Sequence, residues 1–277
     1  MTKVFTIDFH MHPGIPDLRI ERKLHLGDIE QNLQLLMEKI NVSEINKAVV
    51  MLLDEEWFAD KAYEKLISIY KKNNWSEKLI FCAMFDYFRL FEEEEITKQI
   101  EKASSYGVKG IKIHPVIQRI TKNDFNKLIP IAKKVEELNM FTIIHCYGDN
   151  LNSSENIGLD IVSLLAQEIK TPIIIAHAGG YDFSRALFIA KEYSNVFIDF
   201  SYIMKDLDIE SLIMAAIRSI GDEKLLYASD HPSCDAVNYK NEFLAILNKL
   251  KLTETQIKNI MGLNALKIIE NTGKYHE

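Results

Sequence analysis

Eight short apolar, β-rich runs recur along the chain, and longer segments with helical spacing separate them. The runs are "VFTIDF" (4–9), "KAVVMLL" (47–53), "LIFCAM" (79–84), "VKGIKI" (108–113), "FTIIHC" (141–146), "PIIIAH" (172–177), "NVFIDF" (195–200) and "LLYAS" (225–229). Most are almost continuously apolar. Strands of an antiparallel sheet with one wet face would alternate with polar residues; continuous runs suit parallel strands buried on both faces.

The intervening segments carry their apolar residues on one stripe. In 29–40 the stripe is Leu33, Leu36, Met37 and Ile40; in 55–74 it is Trp57, Tyr63, Leu66, Ile67 and Tyr70. Segments 183–193 and 209–220 follow the same 3.6-residue rule. Asn123 or Asp124 is placed to cap a helix running to Leu138, which Pro130 must kink or begin. Strict strand–helix alternation through 277 residues predicts a single-domain α/β protein, a (β/α)8 TIM barrel spanning 1–277. A doubly wound open sheet also alternates, but no Gly-x-Gly-x-x-Gly follows any strand, so its dinucleotide-binding form loses support. Residues 13–28 read as a long loop after the first strand, either a lid over the barrel mouth or a passive connection.

Composition excludes several classes. The formal charge is −7 with no basic run to offset it, which argues against nucleic acid as a partner. The start, "MTKVFTIDFHMH", does not read as a signal peptide, because Asp8 and His10 interrupt its apolar stretch. No apolar run approaches the ~20 residues that span a bilayer. The three cysteines, Cys82, Cys146 and Cys234, are odd in number and far apart, so a cytoplasmic protein without a disulfide framework is expected. Each reads as a small buried hydrophobe rather than a nucleophile.

In an α/β barrel, chemistry sits at the C-terminal ends of the strands. Sorted by that criterion, the histidines are far from random. His10 and His12 end the first strand, His114 follows the fourth, His145 ends the fifth, and His177 ends the sixth; Asp230 and His231 follow the eighth. Only His25 and His276 lie elsewhere. Alternation puts Asp8, His10 and His12 on one face, and Lys112 with His114 on one face of the fourth strand. Asp230 shares parity with Ala228. His10, His12, His145 and Asp230 together supply the nitrogen and oxygen ligands of a catalytic divalent-metal site; the set suits zinc, and other divalent ions are compatible. Such a cation lowers the pKa of a bound water to about 7. His177 then reads as a non-ligand acid, base or oxyanion partner, and Asp230 as both ligand and proton acceptor. Asp8, deeper in the lumen, reads as a brace for the two imidazoles.

Secondary candidates are Lys112, His114 and Ser201, as further metal or substrate contacts, and Arg89, as an anchor for a substrate carboxylate. Asp199 braces the metal shell or meets substrate. Asp86, Tyr87, Arg19, Trp57 and Phe58 are weaker candidates for the mouth. His231, of opposite parity to Asp230, reads as loop structure.

These residues resemble a known family. "IDFHMHPG", "GVKGIKIHP", "TIIHCYG", "IIAHAGG" and "LLYASDHPS", with "IMGLNALKII" near the end, look like the amidohydrolase superfamily. The closer likeness is to the amidohydrolase-related branch that includes aminocarboxymuconate-semialdehyde decarboxylase. The resemblance spans essentially the whole chain. It implies a (β/α)8 barrel with a divalent metal, commonly zinc, on His10, His12, His145 and Asp230. His177 then matches a histidine that assists catalysis without binding metal. In binuclear relatives that histidine binds a second metal alongside a carboxylated lysine, a role for which Lys112 is in the right strand; the resembled branch is usually mononuclear, so one metal per chain, most simply zinc, is expected and two are the alternative. His231 departs from the branch, which often has an aromatic residue after the aspartate. The expected activity is hydrolysis of a small ester, lactone or amide; the alternative is non-oxidative decarboxylation of a small carboxylated substrate in the same site. The expected partner is a small molecule, and a homodimer is the default assembly.

Overall fold

The apolar runs form eight short strands whose order in the sheet is their order in the chain, every neighbouring pair parallel. The computed structural model describes residues 4–14, 26–52, 60–85, 93–147 and 155–272. The strands are β1 (Ile7–Met11), β2 (Lys47–Leu52), β3 (Leu79–Met84), β4 (Gly110–Ile113), β5 (Phe141–Ile144), β6 (Ile173–Ile175), β7 (Val196–Asp199) and β8 (Leu225–Leu226). The chain after β8 returns to β1: Phe9 N donates to Tyr227 O, Asp230 N to His10 O and His12 N to His231 O. These bonds bring the ends of the sheet together as a barrel.

Helices occupy the connections: α1 (Leu26–Val42), α2 (Asp60–Lys72), α3 (Glu93–Ser105), α4 (Phe125–Glu137), α5 (Ile157–Glu168), α6 (Phe183–Glu192), α7 (Ile209–Ile220) and α8 (Ala236–Lys249). Their starts have local causes. Asp235 accepts from Val237 N and Asn238 N at the head of α8, and Asn156 accepts from Leu159 N at the head of α5. Pro130 lies inside α4, and a capping box between Thr121 and Asp124 sets the short turn before that helix. Two last helices, α9 (Glu254–Lys258) and α10 (Asn264–Asn271), follow α8, and a π-helical turn over Asn259–Leu263 joins them.

The core has two shells because each strand has two faces. Val50, Phe81, Ile111, Ile144, Ile175 and Ile198 face outward against the helices. Ile7, Phe9, Met51, Phe141, Ile143 and Leu226 fill the lumen, where Ala265 and Ile268 of α10 join them from the bottom. Gly110 in β4 leaves room for the Phe141 ring, which a Cβ there would meet at 2.1 Å. The lumen is thus packed and apolar below, and its polar residues are confined to the mouth.

Several strands are shorter than the apolar runs. β6 stops at Ile175 because His177, Ala178, Gly179 and Gly180 all take positive φ. β8 ends at Leu226, and Asp230 has φ 61°. The helix expected over 55–74 is described from Asp60, and most of the loop expected at 13–28 lies outside the described residues. So do Arg19, His25, Trp57, Phe58, Asp86, Tyr87, Arg89 and His276. No helix among the described residues is long and apolar enough to cross a membrane.

Candidate metal centre

The site begins with an irregularity in β1. Its pairing matches Asp8 with Ala48 and Met11 with Val50, so β1 advances three residues where β2 advances two. An extra residue reverses the alternation of side chains beyond it. Ile7 and Phe9 lie in the lumen and Met11 lies in the outer shell. Asp8, opposite outward-facing Ala48, faces away from the lumen, whereas His10 and His12 face in. Asp8 therefore does not brace the imidazoles, contrary to the reading from alternation. Its Oδ1 accepts from His10 N at 3.1 Å and Ser229 N at 3.0 Å, pinning the bulge to the chain after β8.

His177 also defeats simple parity. Ile174 and Ala176 face the lumen, so strict alternation would turn His177 outward. Its left-handed backbone, φ 57°, swings the ring back inside. His145 continues the inward series of Phe141 and Ile143, and Asp230 that of Leu226 and Ala228. All of these converge. His10, His177 and Asp230 each offer a ligand atom within 4.8 Å of the others. His12 Nε2 is 3.2 Å from Asp230 Oδ1, and His10 Nε2 is 3.4 Å from it. His177 Nε2 is 3.0 Å from His145 Nδ1.

Hydrogen-bond partners assign the protons. His10 Nδ1 donates to Asp199 Oδ2 at 3.0 Å, and His12 Nδ1 donates to the Met51 carbonyl at 3.2 Å. Neither acceptor has a proton to give, so the hydrogen sits on Nδ1 in both rings. In the neutral form each Nε2 then presents a lone pair to Asp230 Oδ1, itself only an acceptor. Three electron-rich atoms face one another beside the Lys112 ammonium, a donor set that a cation would satisfy. This arrangement, made of two imidazoles and a carboxylate, fits a divalent metal of borderline softness.

The electrostatics agree. Burial, and then the Lys112 ammonium, hold His10 well below the usual imidazole range. Burial does the same for His145, followed by His177 and Lys112, and burial also lowers His177. These rings keep their lone pairs near neutral pH. Burial alone would raise the Asp230 carboxyl, but the neighbouring imidazoles and Lys112 outweigh it and hold it well below the usual range.

The secondary candidates separate. Lys112 is buried in the lumen with Nζ 3.4 Å from His10 Nε2, and burial lowers its pKa. His114 stacks on His145, ring centroids 3.9 Å apart and 11° from parallel. Ser201 lies between His10 and His177, with Oγ 3.3 Å from His10 Nδ1 and 2.9 Å from His177 Nδ1. Asp199 is the brace: Oδ1 accepts from His177 N and Ser201 N, and Oδ2 from His10. His231 faces Cys234 O with its Nδ1 at 3.3 Å. The three cysteines are buried and free, and burial raises each thiol, Cys234 to about 11. Arg89 lies outside the described residues.

Two features escaped the sequence reading. Tyr147 and Tyr202 place their rings 6.0 and 6.2 Å from that of His177, and Tyr147 Oη donates to Asp206 Oδ2. Tyr147 follows His145 with the same parity, which was a usable signal; Tyr202, at φ 67°, had none. Gln118 ties the ends of β3 and β4, donating to Phe85 O and accepting from His114 N.

A parallel eight-stranded barrel with histidines and an aspartate converging at its C-terminal mouth defines a class: barrel enzymes whose chemistry sits above the strands. The model of the amidohydrolase family matches residues 75–270, and the chain belongs to that family, which comprises hydrolases and decarboxylases. That span covers β3 to β8 and leaves His10 and His12 to be placed by the geometry. No curated protein matches the chain. Solved structures share the fold. An uncharacterized TIM-barrel protein from Bordetella bronchiseptica is 16% identical, with 98% of this chain and 100% of that chain covered and a TM-score of 0.75. The 2,6-dihydroxybenzoate decarboxylase from Rhizobium is 14% identical over 98% and 99% of the two chains, TM-score 0.67. An amidohydrolase from Burkholderia multivorans with bound zinc is 13% identical over 96% and 99%, TM-score 0.64.

Proposed function

We propose that this chain is a metal-dependent hydrolase acting on the carbonyl of a small ester, lactone or amide. The observation that carries this reading is the meeting of His10 Nε2, His12 Nε2 and Asp230 Oδ1, acceptors all, at the barrel mouth. His10, His12, His145 and Asp230 would hold one divalent cation. Zinc suits the His3Asp set, and the zinc in the Burkholderia neighbour supports it. When bound, the cation supplies Lewis acidity toward a carbonyl and makes water a better nucleophile near neutral pH. Asp230, held as a carboxylate, accepts the proton of the attacking water and delivers it to the leaving group. His177 is the second proton-handling group, beside Asp230 and the substrate.

Decarboxylation is the second reading. It draws support from Lys112, a buried ammonium beside His10 able to hold a carboxylate, and from the likeness to the Rhizobium decarboxylase. The formal charge of −7 favours a small molecule over nucleic acid as partner, and three free buried cysteines suit a reducing cytoplasm.

The test loads the purified chain with zinc, measures metal per chain, and offers it lactones, esters, amides and carboxylated aromatics. Acid release without carbon dioxide supports the hydrolase. Carbon dioxide release supports the decarboxylase. Failure to take up zinc or any other divalent ion overturns both.

A further inference from the structure

The proton on His177 has its own controlling device. His177 Nδ1 is 2.9 Å from Ser201 Oγ and 3.3 Å from the Ser201 carbonyl oxygen. Ser201 Oγ also lies against Asp199 Oδ1. A hydroxyl has one proton and two lone pairs. The carboxylate oxygen can only accept, so the hydroxyl proton goes to Asp199. The lone pairs of Oγ are then left for N–H donors, and two imidazole nitrogens are in reach: His177 Nδ1, and His10 Nδ1 at 3.3 Å. The carbonyl beside His177 Nδ1 demands a hydrogen there as well. The His10 hydrogen goes to the nearer Asp199 Oδ2 at 3.0 Å, so His177 Nδ1 is the donor this hydroxyl accepts, inside the barrel and out of contact with solvent.

We infer that Ser201 is a positioning residue that fixes the His177 hydrogen on Nδ1 and turns the Nε2 lone pair into the site. This inference rests on the proposed role of His177 as a proton-handling group. It sharpens that role: at Nε2 a neutral His177 is an acceptor, not a donor to an oxyanion. It also orders the next ring. His177 Nε2 lies 3.0 Å from His145 Nδ1, the ring nitrogen placed to meet that lone pair. One carboxylate, Asp199, thereby sets the proton on His10 directly and on His177 through a hydroxyl. Neither Ser201 nor Asp199 needs to touch substrate to do so.

The test is nitrogen NMR of the chain labelled with 15N-histidine, as purified and after chelation, with His177→Asn used to assign its resonances. The readout is which ring nitrogen carries hydrogen, not turnover, so it stays readable whatever the substrate proves to be. The expected wild-type result is a single His177 form with hydrogen on Nδ1. Ser201→Ala should lower the Nδ1–H to Nε2–H ratio by about tenfold, the worth of one neutral hydrogen bond. Ser201→Thr, which keeps the hydroxyl, should restore it. Should Ser201→Ala fail to fold, Ser201→Cys, a much weaker partner, gives the same reading. Hydrogen on Nε2 in the wild type, or an unchanged ratio without the hydroxyl, overturns the inference.

Discussion

His10 Nδ1 and Asp199 Oδ2 lie 3.0 Å apart, both side chains fully buried, although 189 residues separate them in the chain. The contact joins the first strand to the seventh, the two strands that flank β8 in the closed barrel, and commits the His10 proton to the side away from Asp230. The carboxylate also holds the backbone of His177 and of Ser201, so one residue aligns two elements of the site. Asp199→Asn should leave the fold intact and weaken zinc binding about 10- to 100-fold, the usual effect of losing the partner that orients a ligand histidine. Competition against a chromophoric chelator measures it; unchanged affinity would remove Asp199 as the brace.

The roles of Asp230 and His177 separate by metal content. Asp230→Asn loses the carboxylate that faces both His10 and His12, and bound zinc per chain should fall with activity. His177→Asn should keep its zinc and lose turnover by about 100-fold or more, the usual worth of a positioned acid–base group. Because His10, His177 and Asp230 each offer a ligand atom within 4.8 Å of the others, loss of zinc from His177→Asn would instead place His177 among the ligands.

Sequence periodicity was enough to locate all eight strands, since their apolar runs need both faces covered, and the ends of those runs picked out His145 and Asp230. It misassigned Asp8. A bulge leaves no mark on the pattern of residue types, yet one extra residue in β1 turned Asp8 out of the lumen. The inward turn of His177 depends on positive φ at His177 and Ala178, where side chains disfavour such angles. The following Gly179 and Gly180 hinted at a tight turn, not at its direction. The brace at Asp199 could be suspected from its strand end, but its partner His10 lies 189 residues away in the chain and reaches it only once β8 closes onto β1.

Gly110 gives a prediction about the lumen alone. A Cβ there would meet the Phe141 ring at 2.1 Å, and the ring is hemmed in by Phe9, with centroids 5.3 Å apart. Gly110→Ala should destabilise the barrel by about 1–3 kcal/mol through overpacking. Urea denaturation reads this directly. Adding Phe141→Leu should recover part of the loss, because the smaller side chain vacates the space.

Acid should destabilise the metal-free barrel, and the sign follows from the buried groups. Burial holds His10, His145 and His177 below the imidazole value of 6.5. As pH falls below 6.5 the unfolded chain binds protons at these three positions and the folded chain does not, so stability drops. Asp8 works the other way. Burial raises it from 3.8 to about 7, so between those values the folded chain holds a proton that the unfolded chain lacks, and stability falls as pH rises. His231 is lowered by burial as well, so four histidines oppose one carboxyl and acidification below pH 6.5 gives a net loss of stability. Urea denaturation of the chelated chain between pH 5 and 7.5 checks the slope. Asp8→Asn removes the opposing contribution, so the acid loss should become steeper; a stability that is flat or rises toward pH 5 would mean that these imidazoles are charged in the folded barrel.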